Sequence, residues 1–412
     1  MPQTIERPAT AGEVHFGLDE IFYSRTDHRG IIRAGNDVFQ RVSGFSWEKL
    51  IGAPHKIVRH PEMPKAVFKI MWQSIQDGRP IAAYVKNRSE NGGYYWVLAT
   101  ILPNEQGYLS VRIKPSSPLF DTARDLYAEV LKAETSQNLP PEKSAELLIA
   151  RLQNLGFYDY TDFMTQALDQ EQNARDQKLE RVMTTEMRAL SWISELLRQT
   201  LKFQAALLTD FEALQSIPNN MRIIASRLEP SGGPVSAISE NYKFISTDLY
   251  RRLAAFASGK DNLCQTMVRI VSEAIFLTRS ARNLSEVVRV EKGSSANASE
   301  SETGYLADLE TNYLQRADTA LKRAALVSGE LYQSSAEMRR MMLGLDTIRV
   351  MGRVESGRLG TLGAGLGATI DQLDLRHGEI AAKLRQNLVI RPLGERLAAL
   401  PALAVVSDRC GP

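Results

Sequence analysis

Apolar and polar positions change their period along this chain. Up to about Pro115 the apolar residues fall in short runs between turn formers. Ile21–Arg25 and Gly30–Ala34 flank Thr26-Asp27-His28-Arg29-Gly30, which predicts a hairpin. Asn36 then caps a short helical pattern through Val38, Phe39 and Val42, and Ser46 opens another that ends at Gly52. Val67, Ile70, Met71 and Ile75 predict a helix over Pro64–Gln76, with Pro in its first turn and Gly78 as its stop. Three β-rich runs follow: Ile81–Lys86, Tyr94–Leu102 and Tyr108–Ile113, turned by Asn91-Gly92-Gly93 and Asn104–Gly107.

From about Leu119 the period lengthens to three and four residues. Leu190, Ile193, Leu197, Leu207, Phe211, Leu214, Met221, Ala225 and Leu228 keep one heptad-like phase. After the Pro/Gly interruption 229–234 come Ile238, Tyr242, Ile245 and Leu249, then Leu263, Met267, Ile270, Ala274, Leu277, Ala281 and Leu284. Heptads on both sides of a Gly turn predict an antiparallel helical hairpin, whose single seam calls for dimerisation to cover it. The fold expected is therefore α+β, a five-stranded antiparallel sheet with short helices, followed by a mostly all-α hairpin or coiled-coil region. The divisions are an extension over 1–19, a sensor-sized domain over 20–115, connecting helices over 116–177 and a hairpin over 178–291. A Ser-rich linker over 292–304, a second helical segment over 305–390 interrupted by glycines at 352, 357, 360, 363, 365 and 367, and a tail over 391–412 complete the chain.

Composition removes several functions. Fifty Lys and Arg against 48 Asp and Glu leave a net charge of +2, which does not point to nucleic acid or an anionic membrane. No run of about 18 uncharged apolar residues is present, so no membrane span is expected. The N-terminal stretch lacks the apolar core of a secretory signal, and two distant cysteines, Cys264 and Cys410, give no disulfide framework. A reducing, cytoplasmic location is the expectation.

Candidate chemistry concentrates in His55-Lys56-Ile57-Val58-Arg59-His60-Pro61-Glu62-Met63-Pro64, with Phe68 and Trp72 behind it. Arg59 and His60 bring donors for phosphate or carbonyl oxygens, and the Trp72 indole is a face for a flat ring. A charged loop before an ordinary amphipathic helix accounts for the same residues. His55 and His60 lie five apart across a proline-bounded loop with no third ligand near, so a metal site is not expected; an axial haem histidine needs no such partner. Gly363-Ala364-Gly365-Leu366-Gly367 follows a helical pattern rather than a strand and lacks a Walker lysine, so it reads as a turn. With no catalytic constellation in view, the chain reads as a sensor rather than an enzyme.

Residues 20–115 closely resemble the PAS domain of bacterial aerotaxis receptors, the flavin-binding kind. The resemblance is carried by Ala34-Gly35-Asn36-Asp37-Val38-Phe39, Val42-Ser43-Gly44-Phe45, His55–Pro64 with Lys65-Ala66, Met71-Trp72, Val85-Lys86-Asn87-Arg88 and Asn91-Gly92-Gly93-Tyr94-Tyr95-Trp96-Val97. It implies non-covalent FAD in the concave face of the sheet. By position it implies that Arg59 and His60 contact or organise the cofactor, that Asn36 lies near the pocket wall and that Trp72 borders the ring. Phe68 and Trp96 join the candidates from pattern. The family usually places Asp where this chain has Glu62, which keeps the carboxylate but extends it by one methylene.

The helical region resembles, distantly, the signalling part of chemotaxis transducers. Two segments are similar to the family's hairpin tip: 220–228 with Gly232-Gly233, and 354–360 with 365–370. In the second, Glu355 and Arg358 stand where the family contacts the histidine kinase and the coupling protein. The resemblance implies a cytoplasmic redox or oxygen (energy-taxis) sensor, homodimeric, reporting to a chemotaxis-type kinase complex. The alternatives are a flavoenzyme, or a PAS-containing dimeric scaffold outside chemotaxis that holds haem b, another small ligand or nothing.

Overall fold

The computed structural model describes residues 12–182, 262–293 and 300–387, most of 206–257 and a few positions between 188 and 195. The described residues form two compact units. The first comprises 12–182 with 272–317, and the second 206–271 with 318–387. The start of the heptad run at Leu190, Ile193 and Leu197, the Ser-rich residues 294–299 and the tail from 391 lie outside the described residues.

In the first unit, β1 (Phe22–Thr26), β2 (Ile32–Gly35), β3 (Ile81–Arg88), β4 (Tyr94–Asn104) and β5 (Gly107–Ile113) form one antiparallel sheet in the order β2-β1-β5-β4-β3. Asp27 builds the first turn by accepting from the backbone N–H groups of Arg29 (2.9 Å) and Ile31 (3.0 Å). Asn36 caps α1 (Asp37–Ser43). Its Oδ1 accepts from Phe39 N and Tyr23 N, each at 3.3 Å, while Nδ2 donates to Ile21 O at 3.2 Å. One side chain thus ties the helix to β1. A short α2 (Trp47–Leu50), a 3-10 turn (His55–Val58) and α3 (Lys65–Gln76) then cross one face of the sheet.

Pro64 precedes α3 and cannot cap it with a side chain. The cap comes from far along the chain. Glu134, buried on α4 (Pro118–Ser136), accepts from Lys65 N at 3.0 Å and Ala66 N at 3.1 Å. A carboxylate at a helix N-terminus satisfies orphan donors and meets the positive end of the dipole. The same carboxylate accepts from Ser144 on α5 (Pro141–Asn154).

The other face of the sheet is covered by helices of the same unit. Trp96 and Tyr84 pack on Phe120 of α4, with centroids 5.3 and 5.5 Å away. Glu171, fully buried on α6 (Tyr160–Lys178), accepts from Tyr84 Oη (2.8 Å), Ser117 Oγ (2.7 Å), Ser117 N (2.9 Å) and Ser116 N (2.5 Å). The helices expected to act as connectors over 116–177 are therefore part of the sheet's packing. Against α6 lies the second half of α9 (Leu263–Gly293), joined by a ladder of ion pairs: Asp169–Arg279 (2.5 Å), Asp176–Arg282 (2.6 Å) and Arg175–Glu286 (2.5 Å).

The linker expected over 292–304 is shorter than that. Helix α10 (Glu300–Leu359) already includes Ser301 to Gly304, because Glu302 pairs with Arg25 of β1 (2.7 Å) and Leu306 is fully buried. Glycines 352 and 357 do not interrupt α10. A glycine costs a helix interior about 1 kcal/mol, but at 352 it admits a close neighbour: a Cβ there would lie 3.2 Å from Ile370 Cδ1. The break falls at Gly360, with φ +56°, and a 3-10 turn over Gly360–Gly363 leads into α11 (Ala364–Asn387).

In the second unit α7 (Ile217–Arg227) and α8 (Gly233–Ala257) form the expected hairpin, with Pro218 in the first turn of α7, where its missing N–H is harmless. Leu207, Phe211, Leu214, Met221, Ala225, Ile238, Tyr242 and Leu249 are all buried. Their cover includes α10 and α11 of the same chain. The two tip-like segments meet there, a Cβ at Gly365 lying 3.9 Å from Ile224 Cδ1.

Within this bundle Tyr242 Oη meets His377 Nε2 at 2.8 Å, and His377 Nδ1 meets Asp346 Oδ1 at 2.9 Å. Burial holds the His377 imidazole below its ordinary 6.5, although Asp346 works the other way. The unfolded chain therefore takes up this proton first. The stability linked to His377 is complete above about 6.5 and falls as pH drops through that value toward the lower folded one. Melts between pH 7.5 and 5.5 should show a falling midpoint, and His377→Gln should flatten that slope. Equal slopes in both proteins would remove His377 as the cause.

Candidate functional site

Between α3, the 3-10 turn and the concave face of the sheet lies a cavity of about 430 Å³, within the usual range of small-molecule pockets. Strand alternation decides which residues reach it. On β5 these are Tyr108, Ser110 and Arg112; on β4, Ala99 and Ile101; on β3, Val85 and Asn87. From α3 come Phe68, Met71, Trp72 and Ile75, at helical spacing. The Trp72 ring stands edge-on to Tyr108, centroids 5.8 Å apart. Gly30, with φ +77°, closes the wall beside it, because a Cβ there would come within 2.9 Å of the indole.

The polar lining is one-signed. Arg29, Lys56, Arg59 and Arg112 border the cavity, and no Asp or Glu does. The Arg59 guanidinium lies 3.7 Å from the centroid of the Phe68 ring, and burial lowers its pKa. Its backbone bridges to Asn87, and the side-chain amide of Asn87 has no hydrogen-bond partner among the described residues. Arg112, 2% exposed, lies beside the stacked rings of Phe22 and Phe39, 5.8 and 5.2 Å from their centroids. It donates to Ser24 Oγ (2.8 Å) and Ser110 O (3.3 Å), and its Nη2 lies 2.6 Å from His55 Nε2. Burial, then the Arg112 charge, pushes His55 down to about 3, so the ring is neutral and accepts from Arg112. Burial likewise lowers Arg112, to about 10.

Of the residues singled out from sequence, Arg59, Phe68 and Trp72 line the cavity together. Asn36, His60 and Glu62 do not. Asn36 is spent on the α1 cap behind the wall. His60 Nδ1 accepts from Glu62 N at 3.1 Å, and its ring edge meets Tyr94. Glu62 pairs with Lys86 at 2.5 Å, and Lys86 covers Tyr94 at 4.1 Å. Lys86 and Tyr94 point to the opposite face from Asn87 and Tyr95, which is why this group stays outside. Trp96 is excluded for the same reason, lying against Phe120. His55, Asn87 and Arg112 also line the cavity, outside the set singled out for the pocket from sequence, and Ser24 holds Arg112 without lining it. A signal existed for Arg112: it is a cation inside the apolar strand Tyr108–Ile113, in phase with Ser110.

The two tip residues also have positions. Glu355 is 9% exposed and pairs with Arg358 at 3.3 Å, one turn on, while Arg358 is exposed.

A five-stranded antiparallel sheet with short helices over a concave pocket is a PAS-type sensor domain. Residues 33–109 match the family described as the PAS fold. The chain is similar to the aerotaxis receptor of Escherichia coli strain K12, 37% identical over 126 residues, covering 29% of this chain and 25% of that one. It is also similar to the nitrogen fixation regulatory protein of Klebsiella pneumoniae, 31% identical over 88 residues, covering 21% and 18%. The chain thus spans a quarter or less of the length of these relatives. No described helix is long and apolar enough to cross a membrane.

Proposed function

We propose that this protein is a cytoplasmic redox or oxygen sensor whose PAS cavity holds FAD and whose helices report its state to a chemotaxis-type histidine kinase complex. The observation that carries the reading is the cavity itself: apolar walls with aromatic edges, four cationic side chains and no carboxylate. That donor set suits a flat heterocycle with carbonyl acceptors and a diphosphate tail, and the likeness to an aerotaxis receptor agrees with it. Bound there, the flavin would supply a redox centre whose charge and hydrogen bonding change with reduction. Arg59 and Asn87 would hold acceptor atoms, Phe68 and Trp72 would exclude water, and Lys56 and Arg29 would meet phosphate.

Haem fits less well. Arg112 occupies His55 Nε2, and His60 does not line the cavity.

A route out of the site runs through β1. Ser24 faces Arg112, and the next residue, Arg25, points to the other face, pairing with Glu302 and lying 5.1 Å from the centroid of Tyr305 on α10. Tyr313 of α10 donates to Pro103 O of β4 at 3.2 Å. A shift of β1 therefore reaches the first turns of α10. A bias of a few kcal/mol between two packings is enough to be read.

Protein purified under native conditions should be yellow, with a flavin spectrum that bleaches on reduction with dithionite. A colourless, folded protein that takes up no FAD on reconstitution would remove the cofactor. The burial of Glu355 favours a second reading, a homodimeric scaffold outside chemotaxis, since of the pair Glu355 and Arg358 the surface presents Arg358 alone. Pull-down with the kinase and coupling protein separates the two: capture that Arg358→Ala abolishes supports the sensor.

A further inference from the structure

Helix α6 carries two rows of polar side chains. One row faces α9. Asp169 pairs with Arg279, Asp176 pairs with Arg282, and Gln172 donates to Arg279 O (2.7 Å) and Asn283 Oδ1 (2.8 Å). The other row faces the ends of two neighbouring strands. Glu171 accepts from Ser116 N and Ser117 N just past β5, and Lys178 donates to Ser116 O at 2.8 Å. Arg175, 2% exposed, belongs to both rows. Its Nε donates to Leu18 O (2.5 Å) and its Nη2 to Asp19 O (3.2 Å), where the chain enters β1. Its Nη1 and Nη2 donate to the two oxygens of Glu286 on α9, at 2.5 and 2.7 Å.

Holding α9 on α6 needs no second duty from this side chain, because two other ion pairs already join the helices. Holding the entry to β1 needs only a donor for two carbonyls. One guanidinium does both, and its N–H groups are fixed relative to one another in a planar fork. Burial leaves no water to take up slack between them. A displacement of Leu18 and Asp19 therefore bears directly on Glu286. The entry segment is tied in turn to the cavity floor. Phe16 packs on Phe22 and Tyr95, with centroids 5.5 and 6.5 Å away, and Lys114 past β5 donates to Phe16 O at 2.7 Å. Phe22 stands opposite Arg112 in the β1–β5 register.

We propose that Arg175 is a coupling residue: it ties the position of the chain entering β1 to α9, so that a change in the cavity is felt at α9 as well as at α10. The inference deepens the sensor reading, and rests on its flavin part only in the second arm of the test. An arginine that merely holds the unit together would carry no information between the two segments.

The test follows backbone hydrogen exchange by mass spectrometry on the full chain, as wild type, Glu286→Gln, Arg175→Lys and the double variant. The first arm uses flavin-free protein. Among the described residues Glu286 bonds Arg175 and Arg181, and nothing in the N-terminal segment. Glu286→Gln should nevertheless speed exchange over residues 16–23 about tenfold, the size expected for loss of a charge-assisted hydrogen bond, with β3 and β4 unchanged. An ammonium cannot hold the carbonyls and the carboxylate in one fixed fork, so Arg175→Lys should do the same. The double variant should add little, since both changes cut one link. An effect of Glu286→Gln confined to α6 and α9, or additive effects in the double variant, overturns the coupling whatever the cavity holds. If Arg175→Lys does not fold, Glu286→Gln alone decides. The second arm uses FAD-loaded protein before and after dithionite. Reduction should change exchange over residues 279–290 in wild type and leave it unchanged in Arg175→Lys at equal flavin content. A loaded wild type whose α9 ignores reduction, or an equal α9 response in Arg175→Lys, overturns the proposal with the flavin reading intact. A wild type that takes up no FAD removes the flavin reading, and the first arm still decides the coupling.

Discussion

Glu171→Ala should destabilise the first unit by about 3–5 kcal/mol, because several donors lose a buried charged acceptor at once. The reason is the number of donors left behind. Glu171 is fully buried and accepts four hydrogen bonds: from the Tyr84 hydroxyl on β3, the Ser117 hydroxyl, and two backbone N–H groups where β5 hands over to α4. Each buried donor left without a partner costs roughly 1–3 kcal/mol, and no other carboxylate accepts from these groups among the described residues. Glu171→Gln can aim its one oxygen at the two backbone N–H groups and its NH₂ at the two hydroxyls, which can accept, so it should recover more than half of the loss. Tyr84→Phe removes one bond with its donor and should cost about 1 kcal/mol. Urea melts followed by tryptophan fluorescence report on this unit, which holds Trp47, Trp72 and Trp96. A Glu171→Ala protein within about 1 kcal/mol of wild type would mean that these donors do not depend on the carboxylate.

That cluster also shows where sequence reading stopped. The strands, their order and the helix over Pro64–Gln76 were legible because local periodicity and turn residues fix them. So was the hairpin of α7 and α8, announced by its heptads and by the glycines between them. What periodicity could not show is which distant residues complete each element. Nothing near Pro64 announces that Glu134, about seventy residues on, caps α3. Nothing in α6 announces that Asp169, Arg175 and Asp176 face the charges of α9. On the surface such residues read as a solvated helix face. Their burial follows from long-range packing alone. The cover on the hairpin is of the same kind: heptads show a seam, and only long-range packing shows that α10 and α11 return to it.

The candidate site divides along the same line. Arg59, Phe68 and Trp72 were found because a loop rich in donors precedes an amphipathic helix, and the helix has to lay one face on the sheet. Asn36 belongs to a cap and Glu62 to an outward ion pair, distinctions that need the register of β3 and the course of the loop over it. Parity along β4 carried the remaining information. Ala99 and Ile101 reach the cavity, and Trp96, the more conspicuous residue, faces the other way.

Parity also supplies the sharpest variant of the cavity. On the proposed flavin reading, Ala99→Trp should abolish ligand binding, bringing flavin content from that of wild type to background. Ala99 lies on the cavity floor, opposite Ala83 of β3 and Arg112 of β5 in the strand register. Two alanines side by side leave the space, and an indole built on one of them projects into it. Inserting bulk into a filled core costs about 1–3 kcal/mol; here the cavity receives the new ring, so the fold should survive at the low end of that range. The control sits one residue away. Thr100 is fully buried on the opposite face, and its hydroxyl has no hydrogen-bond partner among the described residues. Thr100→Val removes that unpaired hydroxyl at nearly constant volume, so it should leave ligand content unchanged and hold or raise stability. Flavin-to-protein absorbance ratios of the purified variants decide the matter. Full occupancy in Ala99→Trp would place the ligand away from the concave face, because no bound ring could share that floor with an indole.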